Sequence, residues 1–270
     1  MLTGAALAGC SHSAKVNTAA NVTTLPTSSA ATPTITPTVR PSSPGTPTES
    51  SSPTTSTSPS SPPPSPTLTV LPVMLRPGDD GPAVAAMQQR LIELGYWLPR
   101  ADGEYGGLTT QAVTALQKAA GLSRDGVFGP KTHAALDRGV RPRVRSTSGH
   151  VIEINLARQV LLVVDDGVLR LTLNTSTGSG RTFTHPDGRL DVAVTPRGRF
   201  SVTRAVDGWR KSDLGLLWRP RYFNGGIAVH GFASVPPFPA SHGCTRVSIQ
   251  AMNMIWDKDL MPIGTPVWVY

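Results

Sequence analysis

Cysteine is scarce in this sequence, with only Cys10 and Cys244 among 270 residues. Two cysteines cannot build the disulfide framework that supports many small exported domains. A bridge between these two is not expected either, because Cys10 lies in an apolar, small-residue stretch at the extreme N-terminus. Cys244 is therefore the one thiol within sequence that is predicted to fold, and its reactivity has to be considered.

The sequence also has no long hydrophobic run and no dense basic run. Its apolar start, MLTGAALAGC, is too short to span a bilayer. The net charge of +8 favours anionic partners such as an acidic polymer or anionic lipid. The basic residues are scattered, however, and no aromatic residues are interleaved with a basic cluster, so nucleic acid is not an expected partner.

Residues 1–10 are typical of the end of a secretory signal, with apolar residues, small residues and then a break in composition. Leu7-Ala8-Gly9-Cys10 resembles a bacterial lipobox, which implies lipidation of Cys10. A chance run of small residues before a cysteine is the alternative. The charged n-region of a signal is missing, and we expect the natural start to lie upstream.

A segment rich in Ser, Thr, Pro and Ala follows, over residues 11–73. It lacks the apolar residues needed to offset chain entropy, so it is predicted to be disordered. Its prolines favour an extended form of about 3.1 Å per residue, which gives a spacer on the order of 150 Å. We expect a tether that holds the rest of the chain away from a membrane.

Residues 74–139 have the spacing of a small helical domain. In AVAAMQQRLIELGYW the apolar residues Val84, Met87 and Leu91 fall on one helix face, and Gly95 follows as a stop. An internal repeat, Asp-Gly-x-aromatic-Gly-x-x-Thr, occurs as DGEYGGLT and again as DGVFGPKT. The Asp-Gly and Gly residues supply turn geometry, and the Thr lies near the start of the next helix. Three short helices with two matching loops are predicted.

This helical segment resembles the peptidoglycan-binding domain of bacterial cell-wall enzymes. The resemblance is carried by the run QRLIELGY, which begins at Gln89, and by the two repeated loops. It implies binding to glycan or stem peptide, and a three-helix bundle without a ligand is the alternative. Residues 140–149 are predicted to form a basic linker.

From residue 150 to residue 270 the pattern changes to period two and to β-branched runs. HVIEINLARQVLLVVDDGVLRLTLNTSTG predicts three strands, with an Asp-Asp-Gly hairpin turn before the third. GRFSVTRAV, GGIAVHG and GTPVWVY predict further strands, and IQAMNMIWDKDL predicts one helix with Ser248 as its N-cap. Mostly short strands with one short helix predict a mainly-β, sandwich-like domain.

The stretch SHGCTR, which starts at Ser241, contains the candidate chemistry. A thiol attacks as a thiolate, so Cys244 needs a base or a positive field. His230, at the predicted end of the GGIAVHG strand, is one candidate base. His242 is another, because residues i and i+2 of an extended chain share a face. The N–H groups of Gly243 and Cys244 can form an oxyanion hole.

Other interpretations of these residues stay open. Arg246 can bind a substrate carboxylate, lower the pKa of the thiol, or be only a surface charge. Cys244 can be an inert buried thiol, and it can bind zinc together with His230 and His242. No fourth ligand stands at metal-like spacing, and neither Cys-x-x-Cys nor His-x-x-x-His occurs. No metal and no cofactor is therefore predicted.

Residues 150–270 resemble the catalytic domain of L,D-transpeptidases, the YkuD-like family. The signature is an upstream His in VHG, a spacer, and then SHGC followed at plus two by Arg. NTSTG at 174–178, TPRGRF at 195–200 and YFNGGIAVHG before the upstream His also match. Many members carry an acidic residue or Asn shortly after the Arg, whereas this sequence has Ser248 and Gln250, so the match is weakest at the start of that helix.

The resemblance implies a cysteine acyl transfer on peptidoglycan. Cys244 would form a thioester with a tetrapeptide donor stem and release D-Ala, and an acceptor amine would then take the acyl group in a 3–3 cross-link. His230, oriented by a backbone carbonyl, would be the base. His242 and Gly243 would support the oxyanion.

The resemblance also implies partners and a location. Ser241, Arg246, Tyr222 and Phe223 would bind substrate, with simple packing as the alternative for the two aromatic residues. Carbapenem β-lactams are expected to acylate the thiol. An L,D-carboxypeptidase at the same site and a non-catalytic wall-binding lipoprotein are the alternative functions. We expect an exported protein, lipid-anchored to the outer face of the cytoplasmic membrane and reaching into the cell wall.

Overall fold

The computed structural model describes residues 74–270. The predicted signal segment 1–10, its lipidation site Cys10 and the predicted tether 11–73 lie outside the described residues. Within residues 74–270, no helix is both long and apolar enough to cross a membrane.

The first part of the described chain is a helical domain with α1 (Pro82–Glu93), α2 (Gly107–Ala120) and α3 (Pro130–Asp137). These are the three helices that the sequence predicts. Gly121 has φ 71° and ends α2 with a left-handed cap, a conformation that glycine adopts without strain. The apolar helix faces and the loop aromatics form one cluster, whose most buried members are at most 2% exposed: Val84, Leu91, Tyr96, Tyr105, Val113, Ala115, Leu116, Phe128 and Ala135.

The two repeated loops are each held by a buried glutamine from the preceding helix. Gln88 of α1 donates to the Asp102 carboxylate at 2.8 Å and accepts from the Gly103 N–H at 2.8 Å. Gln117 of α2 repeats the arrangement, donating to Asp125 at 2.7 Å and accepting from the N–H of the next glycine at 2.9 Å. The aspartates of the repeat therefore fix the loops through buried amide partners.

The rest of the described chain is a mainly-β sandwich, as the sequence predicts. Its strands are, in chain order, β1 (His150–Asn155), β2 (Val160–Asp165), β3 (Val168–Asn174), β4 (Thr182–Thr184), β5 (Leu190–Val192), β6 (Gly198–Ser201), β7 (Arg204–Ala205), β8 (Trp209–Ser212), β9 (Gly215–Asn224), β10 (Ile227–Phe232), β11 (Thr245–Ser248) and β12 (Pro266–Val269).

Two sheets build the sandwich. One has the order β3-β2-β1-β12-β6, and the other has the order β11-β10-β9-β7 with β8 also paired to β9. Neighbouring strands are antiparallel except for two pairs, β1 with β12 and β10 with β11. A separate hairpin is formed by β4 and β5. The parallel β10–β11 pair is the element that positions the candidate chemistry.

The single helix of this domain, α4 (Ile249–Asp257), connects β11 to the last strand. Ser248 is its N-cap, as predicted, and its Oγ accepts from the Ala251 N–H at 3.1 Å. Ser248 therefore supplies the side-chain acceptor that the N-terminus of α4 needs. Met252 and Ile255 on the inner face of α4 are fully buried between the sheets.

The structure departs from the expected strands at several places, and β4, β5, β8, β9 and β11 are strands that the sequence does not predict. GRFSVTRAV is not one strand, because it divides into β6 and β7, which belong to different sheets. The long strand β9 was not predicted, since Arg219, Pro220 and Arg221 interrupt the alternation of apolar residues, and Arg219 has a φ of 48°. Tertiary pairing on both sides of β9 overrides this weak local signal.

The helical domain and the sandwich share a stretch of backbone pairing. The N–H of Thr172 in β3 donates to the Gly95 carbonyl at 2.7 Å, and the Trp97 N–H donates to the Thr172 carbonyl at 3.1 Å. The Trp97 ring packs against the core of the sandwich. The chain that follows α1 thus extends the edge of the sheet at β3.

We predict that Gln88→Ala lowers the free energy of unfolding by about 1–3 kcal/mol, because it leaves the Gly103 N–H and the Asp102 carboxylate without their buried partner. Gln89→Ala is the matched control, since Gln89 is exposed on the same helix and its side chain donates to the exposed Glu93 at 3.3 Å. It should change stability by less than about 0.5 kcal/mol. Urea denaturation measures both, and equal effects would contradict the role of Gln88.

Candidate active site

The parallel pairing of β10 and β11 brings the candidate residues together. His230 lies in β10 opposite Arg246 of β11, and Cys244 directly precedes β11. His230, His242, Cys244 and Arg246 all line one cavity of about 680 Å³. The structure therefore brings the upstream histidine and the thiol, which are 14 positions apart in the sequence, to the same cavity.

The turn that carries the thiol is fixed by its own serine. Ser241 is 2% exposed, and its Oγ donates to the Cys244 carbonyl at 2.5 Å and accepts from the Gly243 N–H at 3.0 Å. The sequence predicts Ser241 as a substrate contact. In the structure its hydroxyl closes the turn, because it donates one hydrogen bond and accepts another within the turn. The Gly243 N–H, a predicted oxyanion donor, is directed to this hydroxyl.

Thr195 holds the same turn from the outside. Its Oγ1 donates to the Gly243 carbonyl at 2.6 Å and accepts from the Gly178 N–H at 2.9 Å. Gly243 has a φ of 138°, and a Cβ there would lie 3.0 Å from the Val194 carbonyl oxygen. Glycine is therefore required at this position by both conformation and space.

His230 is a buried, neutral imidazole. It is 4% exposed, and its Nδ1 lies 2.9 Å from the Gly231 carbonyl oxygen. Because a carbonyl only accepts, Nδ1 carries the proton and Nε2 has a free lone pair. Burial lowers the pKa of His230 to about 4, the Gly231 carbonyl opposes this, and the charge of Arg246 lowers it further. The ring is thus ready to accept a proton at Nε2.

Cys244 is a half-buried thiol whose Sγ donates to the Gly226 carbonyl at 3.8 Å. Burial raises the pKa of Cys244, whereas the Ala228 N–H and the charge of Arg246 act in the opposite direction. A raised thiol pKa and a lowered imidazole pKa both favour the neutral form of the group. The two residues line the same cavity, so the arrangement suits general-base removal of the thiol proton better than a preformed ion pair.

His242 has a different environment. It is exposed, and its ring packs edge-on against Phe183 of β4, with ring centroids 4.7 Å apart. Desolvation lowers the pKa of His242, and the charges of Arg246 and His185 add to this. His242 thus faces the β4–β5 hairpin at the mouth of the cavity, while His230 lies in the sheet.

Arg246 is held in place by its neighbours. Its Nη1 donates to the Ala240 carbonyl at 3.3 Å, and its guanidinium lies 4.1 Å from the centroid of the Phe232 ring. Tyr222 lines the cavity beneath Arg204, whose guanidinium lies 3.7 Å from the centre of the tyrosine ring. Phe223 belongs to the hydrophobic core and does not line the cavity, since alternate residues of β9 face opposite sides.

Sequence reasoning missed much of the cavity wall. The missed residues come from the β4–β5 hairpin, from the segment between β5 and β6, and from β7, β8 and β9: Phe183, His185, Val194, Arg204, Arg210 and Leu216. The sequence does contain a pattern that predicts this hairpin, because the alternating segments TFT and LDV lie on either side of the turn sequence His-Pro-Asp-Gly. Within residues 74–270, no three His, Cys, Asp or Glu side chains are grouped as a metal site requires.

A β-sandwich whose cavity is lined by a thiol and a buried histidine has the residues that cysteine-dependent acyl transfer requires. The model of the L,D-transpeptidase catalytic domain, YkuD, matches residues 149–269, and that of a peptidoglycan binding domain matches residues 80–136. A solved L,D-transpeptidase structure from Xylanimonas cellulosilytica is 54% identical with a TM-score of 0.72, over 74% of this chain and 98% of that chain. The chain belongs to the L,D-transpeptidase family.

Shorter similarities relate the chain to cell-wall amidases. The N-acetylmuramoyl-L-alanine amidase CwlL of Bacillus licheniformis is 46% identical over 79 residues, which are 28% of this chain and 22% of the amidase. The amidase CwlM of Mycobacterium tuberculosis is 39% identical over 75 residues, which are 28% of this chain and 18% of that protein. The chain thus spans about a fifth of the length of these curated relatives.

We predict that alkylation of Cys244 by iodoacetamide keeps accelerating with pH beyond the point at which a small free thiol levels off, because burial raises the pKa of this thiol. The rate is measured by mass spectrometry of the peptide that contains Cys244, with N-acetylcysteine treated in parallel. A rate that is high and independent of pH through neutrality would instead indicate a thiolate–imidazolium pair.

Proposed function

We propose that this protein is a peptidoglycan L,D-transpeptidase that forms 3–3 cross-links. The observation that carries the proposal is the neutral pair of Cys244 and His230 in one cavity, with Nδ1 of the imidazole tied to a carbonyl and Nε2 free. Family membership supplies the substrate class, and the matched peptidoglycan binding domain agrees with it.

Acylation is the first step. Nε2 of His230 takes the thiol proton as Sγ of Cys244 attacks the carbonyl carbon of the third residue in a tetrapeptide donor stem. The tetrahedral intermediate collapses, its bond to the nitrogen of the terminal D-Ala breaks, and His230 returns the proton to that nitrogen. D-Ala leaves, and a thioester on Cys244 remains.

Acyl transfer is the second step. The side-chain amine of an acceptor stem attacks the thioester, and His230 accepts a proton from the attacking nitrogen. The carbon–sulfur bond breaks, the proton passes to sulfur, and a new amide links the two stems. Water in place of the amine would make the same site an L,D-carboxypeptidase.

Backbone and side-chain donors at the turn would stabilise the oxyanion. We assign this role to the Cys244 N–H, assisted by His242 and by Gly243, whose N–H lies within 3.0 Å of Ser241 Oγ at rest. Ser241 acts by holding the turn in shape, through its bond to the Cys244 carbonyl.

Charge in the cavity suits an acidic donor stem. Arg189, Arg204, Arg210 and Arg246 line the cavity, against Asp191 and Asp213. The guanidinium of Arg246 is already engaged with Ala240 and Phe232, so it contributes mainly a fixed positive field. We therefore place the donor stem along Tyr222 and Arg204, with its carboxylates toward the arginines.

The remaining sequence expectations complete the proposal. Export, lipidation of Cys10 and a disordered tether over residues 11–73 would hold the enzyme at the outer face of the cytoplasmic membrane and let it reach into the wall. The helical domain would bind glycan or stem peptide there. Carbapenem β-lactams would acylate Cys244, because their strained carbonyl reacts with a thiol in the same way as the donor carbonyl.

We predict that the purified protein forms a covalent adduct with meropenem on Cys244 and converts disaccharide-tetrapeptide into a dimer with loss of D-Ala. Intact mass and peptide mapping measure the adduct, and Cys244→Ala is the control in which both products disappear. Tripeptide without dimer would assign the site to a carboxypeptidase. No adduct and no product in the wild type would leave a non-catalytic wall-binding protein.

We predict that His230→Ala lowers the acylation rate constant by about 10²–10⁴-fold, because it removes the general base. His242→Ala should cost less than about tenfold, because that ring lies at the cavity mouth and contributes only to oxyanion stabilisation. Stopped-flow measurement of acylation by meropenem gives both constants. The reverse order of effects would make His242 the base.

A further inference from the structure

Lys118, in the last turn of α2, is a fully buried lysine, with an exposed fraction of 0%. Its Nζ donates to the Gln159 carbonyl at 3.0 Å, to the Thr175 carbonyl at 2.8 Å and to Oδ1 of Asn174. All three acceptors belong to the sandwich, and they match the three donors of an ammonium group. Burial lowers the pKa of Lys118, and the charge of nearby Arg124 adds to this, so the ammonium form depends on these three acceptors.

The chain segment that Lys118 holds is the outer neighbour of the catalytic strand. Oγ1 of Thr175 donates to the Arg246 carbonyl at 2.6 Å. The N–H of Ser176 donates to the same carbonyl at 3.2 Å, and the Arg246 N–H donates back to the Ser176 carbonyl at 2.9 Å. β11, which starts one residue after Cys244, is thus held between β10 on one side and this segment on the other.

A second set of contacts joins α2 to the loop of residues 233–240, which connects β10 to the catalytic turn. Nε2 of Gln111 donates to the Val235 carbonyl at 3.3 Å, and Asn174 donates to the same carbonyl at 3.2 Å. Just beyond α2, Nη1 of Arg124 donates to the Pro237 carbonyl at 3.1 Å.

The composition of this loop explains why it needs outside donors. It contains three prolines, at positions 236, 237 and 239, which have no N–H and cannot form a backbone ladder. Its carbonyl groups must then be satisfied by other elements or by water. The helical domain supplies side-chain donors to two of them, and Ser176 Oγ donates to the Phe238 carbonyl at 2.8 Å.

We propose that Lys118, together with Gln111 and Arg124, is a positioning residue for Cys244, and that the helical domain is thereby part of the catalytic unit as well as a wall-binding module. The helical domain holds two segments next to the catalytic turn. One is the Thr175–Ser176 segment that pairs with β11, and the other is the loop that leads from β10 into the turn. This inference rests on the proposed function, because it assigns Lys118 a role in that reaction.

Lys118→Met in the full chain tests the proposal, since it removes the three donors and keeps an unbranched apolar stem. We expect kcat for D-Ala release to fall by roughly ten- to a hundredfold, with the donor KM within about threefold of wild type. Hydrogen–deuterium exchange should rise in peptides covering residues 233–246 and stay unchanged in those covering α1. Lys131→Met, at an exposed lysine of α3, is the matched control and should change neither quantity.

If Lys118→Met does not fold, Gln111→Ala and Arg124→Ala test the proposal instead. Each substitution removes the side-chain donor to one loop carbonyl and lies at a half-exposed position. Each should raise exchange in residues 233–246 and lower kcat by a smaller factor than Lys118→Met. Unchanged kcat and unchanged exchange in these variants would overturn the proposal. A loss of kcat that only follows a lower melting temperature, with exchange raised throughout the chain, would overturn it as well. If the wild type itself releases no D-Ala, the proposed function fails, and the exchange data still decide whether α2 holds the loop.

Discussion

The site depends on one constraint, the parallel pairing of β10 and β11. Parallel neighbours cannot be joined by a tight turn, so the chain must leave β10 after Phe232 and return before Thr245 through a long connection. That connection carries the catalytic turn. His230 is fixed within one strand and Cys244 at the entrance of the other, so the geometry of the pair is set by backbone pairing and not by flexible side chains.

Once the strands are paired, short polar contacts shape the turn. Ser241 bridges its two ends, and Thr195 reaches in from outside to hold the Gly243 carbonyl. The Gly231 carbonyl selects the imidazole tautomer of His230. These contacts explain why hydroxyl groups surround the thiol although they need not take part in the chemistry.

Electrostatics at the site oppose premature ionisation. Burial lowers the pKa of His230 and raises that of Cys244, so it favours the neutral form of both groups. A neutral thiol is a weak nucleophile and is protected from adventitious oxidation, since the thiolate is the reactive form. Reactivity then arises when a bound carbonyl aligns thiol, imidazole and oxyanion donors together.

Most local elements and the candidate catalytic residues could be predicted from the sequence alone. The sequence predicts the helical spacing, the two Asp-Gly loops, the Ser248 cap and the set of His230, His242 and Cys244. These features can be predicted because periodicity and turn chemistry are local properties and the SHGC signature is contiguous.

Contacts between residues that lie far apart in the chain could not be predicted from the sequence. Nothing in the local sequence shows that Thr195 reaches Gly243. Nor does it show that Phe223 enters the core while Tyr222 lines the cavity, or that β9 is a strand despite its arginines and proline. The tertiary structure alone decided that Lys118 of the helical domain is buried against the sandwich, because that contact exists only when two separately patterned segments pack together.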